Sequence, residues 1–309
     1  MFADLDNPIF KDEKAARKHL EKLLWPNGPV CPHCKATENL HKLKGKSHRD
    51  GLYQCNECRQ HFTVTVGTVF ERSKIPLRKW VLAFHLMNAS KKGMSAHQMH
   101  RMLGITYKTA WFMCHRIREA MKGQKKKAPM GGDGGVIVTD ETYYGNTSKR
   151  AKGYKKGHRH KMGVVGLVDP ATGEARAFAV KTATAAKIRK ILVTNSDRKS
   201  ALVTDESHMY NRVGEEYAMH QTVWHARGEY VNSDGFTTNN VENFFGIFKK
   251  GMVGTYHFCR EQHLQRYLNE FSFRYTNRHV EDGERAALAL VGASGRRLTY
   301  RQADKNPIA

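Results

Sequence analysis

Three features of the sequence predict an α/β protein. Two cysteine pairs are spaced as metal knuckles, three helical segments follow them, and apolar strands alternate with helices beyond a polar, glycine-rich break. The expected architecture is a mixed five-stranded sheet with flanking helices, preceded by a zinc ribbon and a helical, helix-turn-helix-like region.

A chain of 309 residues with 40% hydrophobic content has room for two or three modules that bury a core. Its 52 lysines and arginines outnumber 29 acidic residues, leaving a formal charge of +23 spread along the whole length. Such a field favours a polyanionic partner. No stretch approaches the roughly 20 apolar residues of a spanning helix, and no amino-terminal charged-then-apolar signal appears. A cytoplasmic, nucleoid-associated location in a bacterium or archaeon is therefore expected, with no membrane partner. Four of the six cysteines form tight pairs, which points to reduced thiolates held for metal and not to a disulfide framework.

In order along the chain, residues 7–24 carry Ile9, Phe10, Ala16, Leu20, Leu23 and Leu24 near helical spacing, with Asp6 or Asn7 as cap and Pro26 as stop. Cys31-Pro32-His33-Cys34 and Cys55-Asn56-Glu57-Cys58 follow, flanked by short strand-like segments. Tetrahedral zinc takes four thiolates from two such knuckles, so these cysteines are read as a closed structural site within residues 1–70. Cys114 and Cys259 stand alone and read as small buried residues.

Residues 71–124 turn helical, in the segments LRKWVLAFHLM, SAHQMHRML and TYKTAWFMCHRIREAM, with Gly104-Ile105 as the turn before the third. If Thr106 caps that helix, Lys108, Arg116 and Arg118 are candidates for reaching DNA, against the alternative of a plain packing hairpin. Residues 125–135 lose all periodicity and read as a linker.

Behind the linker, the domain expected over residues 136–290 begins with strands at 136–139, 161–168 and 176–180, the last two joined by the turn at Asp169–Gly173. A helix from Thr182, a strand at 201–204, another at 221–224, and helices over 238–250 and from His263 complete it, leaving 291–309 as a tail. That order of elements is the ribonuclease-H-like one.

Hard divalent cations such as magnesium or manganese take oxygen ligands, so carboxylates converging from separate elements mark a site for phosphodiester chemistry. Asp140 ends the first strand in VIVTDETYYG, Asp205 ends the fourth in ALVTDESHMY, and Glu242 opens the helix TTNNVENFFGIFKK. Glu141 and Glu206 adjoin the two aspartates. Strand side chains alternate between faces, and with both faces of the sheet covered, alternation alone leaves the choice within each pair open. Lys249 lies two turns from Glu242 on the same side of its helix, beside Lys250, and Asn239 shares that side if the helix has begun.

These segments resemble the zinc-ribbon insertion-sequence transposases with an ISXO-type DDE domain. The likeness rests on CPHC and CNEC followed by HFTVTVGTVFERSKIPLRKW, on TDETYYG and TDESHMY, on TTNNVENFFGIFKKGMVGTYH and on HLQRYLNEFSFRYTNRH. The resemblance selects Asp140, Asp205 and Glu242 as the magnesium- or manganese-binding triad of two ions, with Lys249 as an associated basic residue. It implies cutting and joining of double-stranded DNA at terminal inverted repeats and in a target, by a homodimer or larger assembly. His225 matches a histidine of the family that positions phosphate or water, or else is structural. Arg260, Arg266, Arg274 and Arg278 of the late helices are expected to neutralise the DNA backbone. Two other functions stay open on the residues alone: a DNA-binding regulator with an inactive rear domain, and a nuclease that cuts without joining.

Overall fold

The computed structural model describes residues 5–123, 128–145 and 161–300. The chain divides into two units, one of residues up to 122 together with 280–300, the other beginning at 123 and running to 279.

In the front unit the expected single helix over residues 7–24 is broken. Asn7 caps α1 (Pro8–Lys11), and Asp12 leaves helical geometry to cap α2 (Glu13–Leu24) by accepting from Ala15 N–H at 2.7 Å. The ribbon is a three-stranded antiparallel sheet of β1 (Leu40–Lys42), β2 (Tyr53–Cys55) and β3 (His61–Phe62). Tyr53 and Phe62 stack with ring centroids 5.6 Å apart, and Trp25 packs edge-on against both, a small core that needs the metal site beside it.

Helices α3 (Leu77–Ala89), α4 (Ala96–Leu103) and α5 (Tyr107–Ala120) follow as expected. Ser95 caps α4, Gly104 at φ 57° supplies the left-handed turn that ends it, and Thr106 caps α5. The helix α10 (Asp282–Val291) packs on α3, with Arg285 donating to the carbonyl of Asn88 at 2.8 Å. Residues 280–290 were expected in the rear domain; they belong to the front one because α3, distant in sequence, offers their apolar side its partner. Residues 291–300 are likewise packed, Ala293 being fully buried and Arg296 bonded to the carbonyls of Glu119 and Ala120, while the rest of the expected tail lies outside the described residues.

The rear unit is the expected ribonuclease-H-like sheet with flanking helices. Its strands, β4 (Val136–Tyr144), β5 (Met162–Val168), β6 (Ala175–Val180), β7 (Ala201–Asp205) and β8 (Met219–Val223), lie in the order β6-β5-β4-β7-β8. The first three are joined antiparallel, and β7 and β8 run parallel to β4. Helices α6 (Ala185–Asn195) and α7 (Asn211–Gly214) supply Ile188, Leu192 and Val213 to one face of the sheet, against Ile137, Val165, Leu167 and Leu202. Helices α8 (Asn239–Gly251) and α9 (Leu264–Thr276) cover the other, where Val241, Phe244, Phe248 and Phe271 meet Val138, Val164, Val203 and Val223. The described part of the expected linker is built into this unit: Met130 is buried in the α6 face, and Gly132 N–H donates to Ser200 Oγ at 2.9 Å. Residues 124–127 lie outside the described residues.

Candidate active site and metal centre

Cys31, Cys34, Cys55 and Cys58 are free thiols whose sulfurs lie within 4.8 Å of one another. The Cys31–Cys58 and Cys34–Cys55 separations are both 3.6 Å, close to the edge of about 3.8 Å that four zinc–sulfur bonds of ~2.3 Å define in a tetrahedron. The two knuckles share one local geometry. Cys31 and Cys55 donate their N–H to the carbonyl five residues on, and the residue after each second cysteine, Lys35 or Arg59, takes a left-handed φ of 68° or 56°. Burial raises the Cys31 thiol, but N–H groups of Cys34 and His33 outweigh it and bring it down to about 7. Four soft ligands on preset turns suit zinc in a closed, structural role.

The structure sets the two members of each pair apart. Val138 on β4 pairs with Val203 on β7 in parallel register, so Asp140 and Asp205, two residues beyond each, sit side by side on the same face. That face is the one covered by α8 and α9. Glu141 points to the other, where Tyr210 donates its hydroxyl to Glu141 Oε2 at 2.6 Å. Glu206 closes the turn after β8, accepting from the N–H groups of His225 at 3.0 Å and Ala226 at 3.3 Å.

A glycine brings α8 down onto this point. Gly166 on β5 is the register partner of Asp140, and a Cβ there would lie 2.8 Å from Phe245 and 3.1 Å from Val241. The bare backbone lets the first turns of α8 seat directly beside Asp140, and Glu242 lies between those two contacts in sequence. Glu242 is held in turn: Thr238 donates to its Oε1 at 2.5 Å, and His225 Nε2 lies 3.2 Å from the same oxygen and 2.8 Å from Thr238 Oγ1. Because the single hydroxyl proton of Thr238 goes to Glu242, His225 Nε2 carries the proton it shares with Thr238.

Burial pushes Asp140 up to about 7, and the charges of Asp205, Glu141 and Glu242 add to the shift. Asp205 and Glu141 are also raised, burial again being the largest cause. Clustered carboxylates that repel one another in a half-dry pocket are what a bound divalent cation would relieve, and an all-oxygen donor set suits magnesium or manganese. The trio is more open than the thiol site, which among the described residues is the one metal-ligating group of three or more within 4.8 Å.

Asn239, Lys249 and Lys250 are exposed on α8, and Lys108 is exposed on α5, over the ring of Tyr300. Of the other expected DNA contacts, Arg116, Arg118, Arg266 and Arg274 are withdrawn from the surface by burial. Arg116 is 5% exposed, donates to the Glu71 carbonyl at 2.6 Å and stacks on Trp80 and Phe112; Arg118 is 2% exposed. Arg274 is buried against Glu270, and Arg266 is buried and bonded to His263. Arg278 donates to the carbonyls of Gly173 and Tyr275 yet stays exposed, as does Arg260. The helical period that brought these arginines to notice is also the period of a buried face. The Glu270-to-Arg274 spacing of one helical turn was the overlooked signal of an internal pair. Thr238 and Tyr210 were missed altogether, as hydroxyls carry no motif of their own.

Residues 133–276 match the ISXO2-like transposase domain and residues 11–61 the transposase zinc-ribbon domain, together well over half of the chain. A Halobacterium salinarum protein described as an uncharacterized protein in transposable element ISH50 is 28% identical over 279 residues, covering 86% of this chain and 91% of that one. Among solved structures, the HTLV-2 integrase catalytic core domain in complex with magnesium aligns at 14% identity over 47% of this chain and 88% of its own, with a TM-score of 0.29. The Mos1 strand transfer complex aligns at 12% identity over 69% and 81%, with a TM-score of 0.19. No helix among the described residues is long and apolar enough to cross a membrane.

Proposed function

The chain belongs to the insertion-sequence transposases that join a zinc ribbon to an ISXO2-like transposase domain, and we propose that Asp140, Asp205 and Glu242 are its catalytic metal ligands. The observation that carries this reading is the side-by-side register of Asp140 and Asp205 on the face that the first turns of α8 reach. The three carboxylates would hold divalent cations, whose Lewis acidity would serve in-line attack of water or a DNA 3′-hydroxyl on a phosphodiester. The protein's own part is positional. Thr238 and His225 fix the rotamer of Glu242, and the buried aspartates present fixed oxygens at the strand ends. Lys249, exposed two turns along α8, pairs with a phosphate of the bound strand. The substrates are terminal inverted repeats and a target duplex, and joining two ends calls for a dimer or larger assembly. No covalent protein intermediate is needed.

The test is a reaction of the full chain with a labelled fragment carrying the element's ends, a target plasmid and magnesium or manganese, with Glu242→Gln in parallel. Wild type should cleave and join, and the variant should do neither. Equal products from both would remove the trio from the chemistry. Cleavage without joined product would reduce the activity to a nuclease, and end binding with no product at all would leave a regulator.

A further inference from the structure

We propose that a cleft in the front unit, walled by Arg17, Arg49, Arg72, Lys74 and Arg78, is a binding site for the phosphate backbone of double-stranded DNA. The proposal rests on the reading above only in taking duplex DNA as the partner.

The cleft, of about 530 Å³, lies between α2, the ribbon and the start of α3. Five cations face two acids there, and both acids are already engaged. Glu13 spends its two oxygens on the N–H groups of Leu77 at 2.8 Å and Arg78 at 3.2 Å, closing the N-terminus of α3. Asp50 faces Lys14 at 4.0 Å. Four of the five cations have no such partner. Among the described residues Arg17, Arg49, Lys74 and Arg78 have no carboxylate within ion-pair distance, and Arg72 has only its neighbour Glu71, at 3.9 Å.

Two local features suggest a built site and not a chance gathering of surface charge. The Nε of Arg17 is buried without a hydrogen-bond partner, a cost of about 1–3 kcal/mol for a donor unless a ligand answers it. Its side chain lies flat on Gly51, where a Cβ would come within 2.5 Å of Arg17 Cδ. Guanidinium forks present paired donors that match two phosphate oxygens, so four arginines and a lysine around one cleft suit a polyphosphate backbone. With Arg116 and Arg118 withdrawn into the core, this cleft gathers more exposed charge than the third helix, where Lys108 alone of the three expected cations stays exposed.

The experiment measures binding of the zinc-loaded full chain to a mixed-sequence duplex of about 30 base pairs by fluorescence anisotropy, without added divalent cation, across a salt series. Arg17→Gln with Arg78→Gln removes the inner pair, and Arg49→Gln with Lys74→Gln the rim pair. Lys181→Gln with Lys190→Gln, exposed in the rear unit, removes the same charge elsewhere. Each cleft pair should weaken binding about tenfold or more at moderate salt and flatten the log–log salt slope by about 2, while the rear pair changes the slope by less than about 1. Equal effects of cleft and rear pairs, or wild-type binding by the cleft variants at unchanged zinc content, would overturn the proposal. So would tighter binding to an RNA duplex of the same length. If the inner pair fails to fold, the exposed rim pair decides. Glu242→Gln should keep duplex affinity while losing cleavage, so failure of the catalytic reading would show in cleavage and not here.

Discussion

Replacing Asp140 with asparagine should stabilise the metal-free protein, and the gain should depend on pH. Burial and the neighbouring carboxylates take Asp140 from 3.8 to about 7. Roughly three pKa units at ~1.4 kcal/mol each amount to about 4 kcal/mol against the folded state once the group is ionised. The folded carboxyl holds its proton more tightly than the unfolded one, so its contribution is fully present below about pH 4 and is lost as pH rises through about 7. Asparagine is neutral throughout, and its Oδ1 can still accept the Glu141 N–H that Asp140 accepts at 2.7 Å. In magnesium-free buffer at pH 8, Asp140→Asn should melt about 10 °C above wild type in the rear-unit transition, on the rule of ~2–4 °C per kcal/mol for a unit of this size. At pH 5 less than half of that excess should remain. Magnesium should then raise the wild-type melting temperature and leave the variant's nearly unchanged. Scanning calorimetry at the two pH values measures all of this. An Asp140→Asn protein no more stable than wild type at pH 8, or an excess that persists undiminished at pH 5, would refute the account of a repulsive, desolvated carboxylate cluster.

Thr238→Val should raise the magnesium concentration needed for half-maximal cleavage about 10- to 100-fold, with Thr238→Ser restoring it, because Glu242 loses the hydroxyl that holds its Oε1 and keeps only the 3.2 Å approach of His225. Gly166→Ala should cost about 1–3 kcal/mol in urea unfolding and depress cleavage with it, since the added carbon forces Phe245 and Val241 off the sheet beside Asp140; unchanged stability would contradict the close seating of α8. Breaking the buried pair by Arg274→Ala should cost about 3–5 kcal/mol, read by the same unfolding assay, while leaving the salt slope of DNA binding unchanged. Cys31→Ser with Cys55→Ser should lose zinc, measured by metal analysis, and melt the front unit.

Local patterns carried most of the fold. The two cysteine knuckles, the cap at Thr106, the glycine turn at Gly104 and the runs of the five strands each announce their structure within a few residues, because their chemistry is satisfied within a few residues. The candidate carboxylates were visible for the same reason, as acids at the ends of apolar strands. What the sequence could not rank was any choice that depends on a distant neighbour.

Asp140 over Glu141 was one such choice. Both are strand residues on covered faces, and only the parallel register of β4 with β7, together with Tyr210 on the far side, separates the residue facing α8 from the one bonded within the opposite core. Arg116, Arg118 and Arg274 were another. A lone sequence shows an arginine's charge, whereas burial against Trp80, Phe112 or Glu270 exists only once helices have packed. The assignment of α10 to the front unit required α3, nearly two hundred residues earlier, to be in place. Spacing and residue type by themselves determined the ribbon, the succession of strands along the chain and the candidate acids. Tertiary packing alone decided which acids share a face and which cations stay exposed, because facing and burial are properties of pairs of elements and not of any one of them.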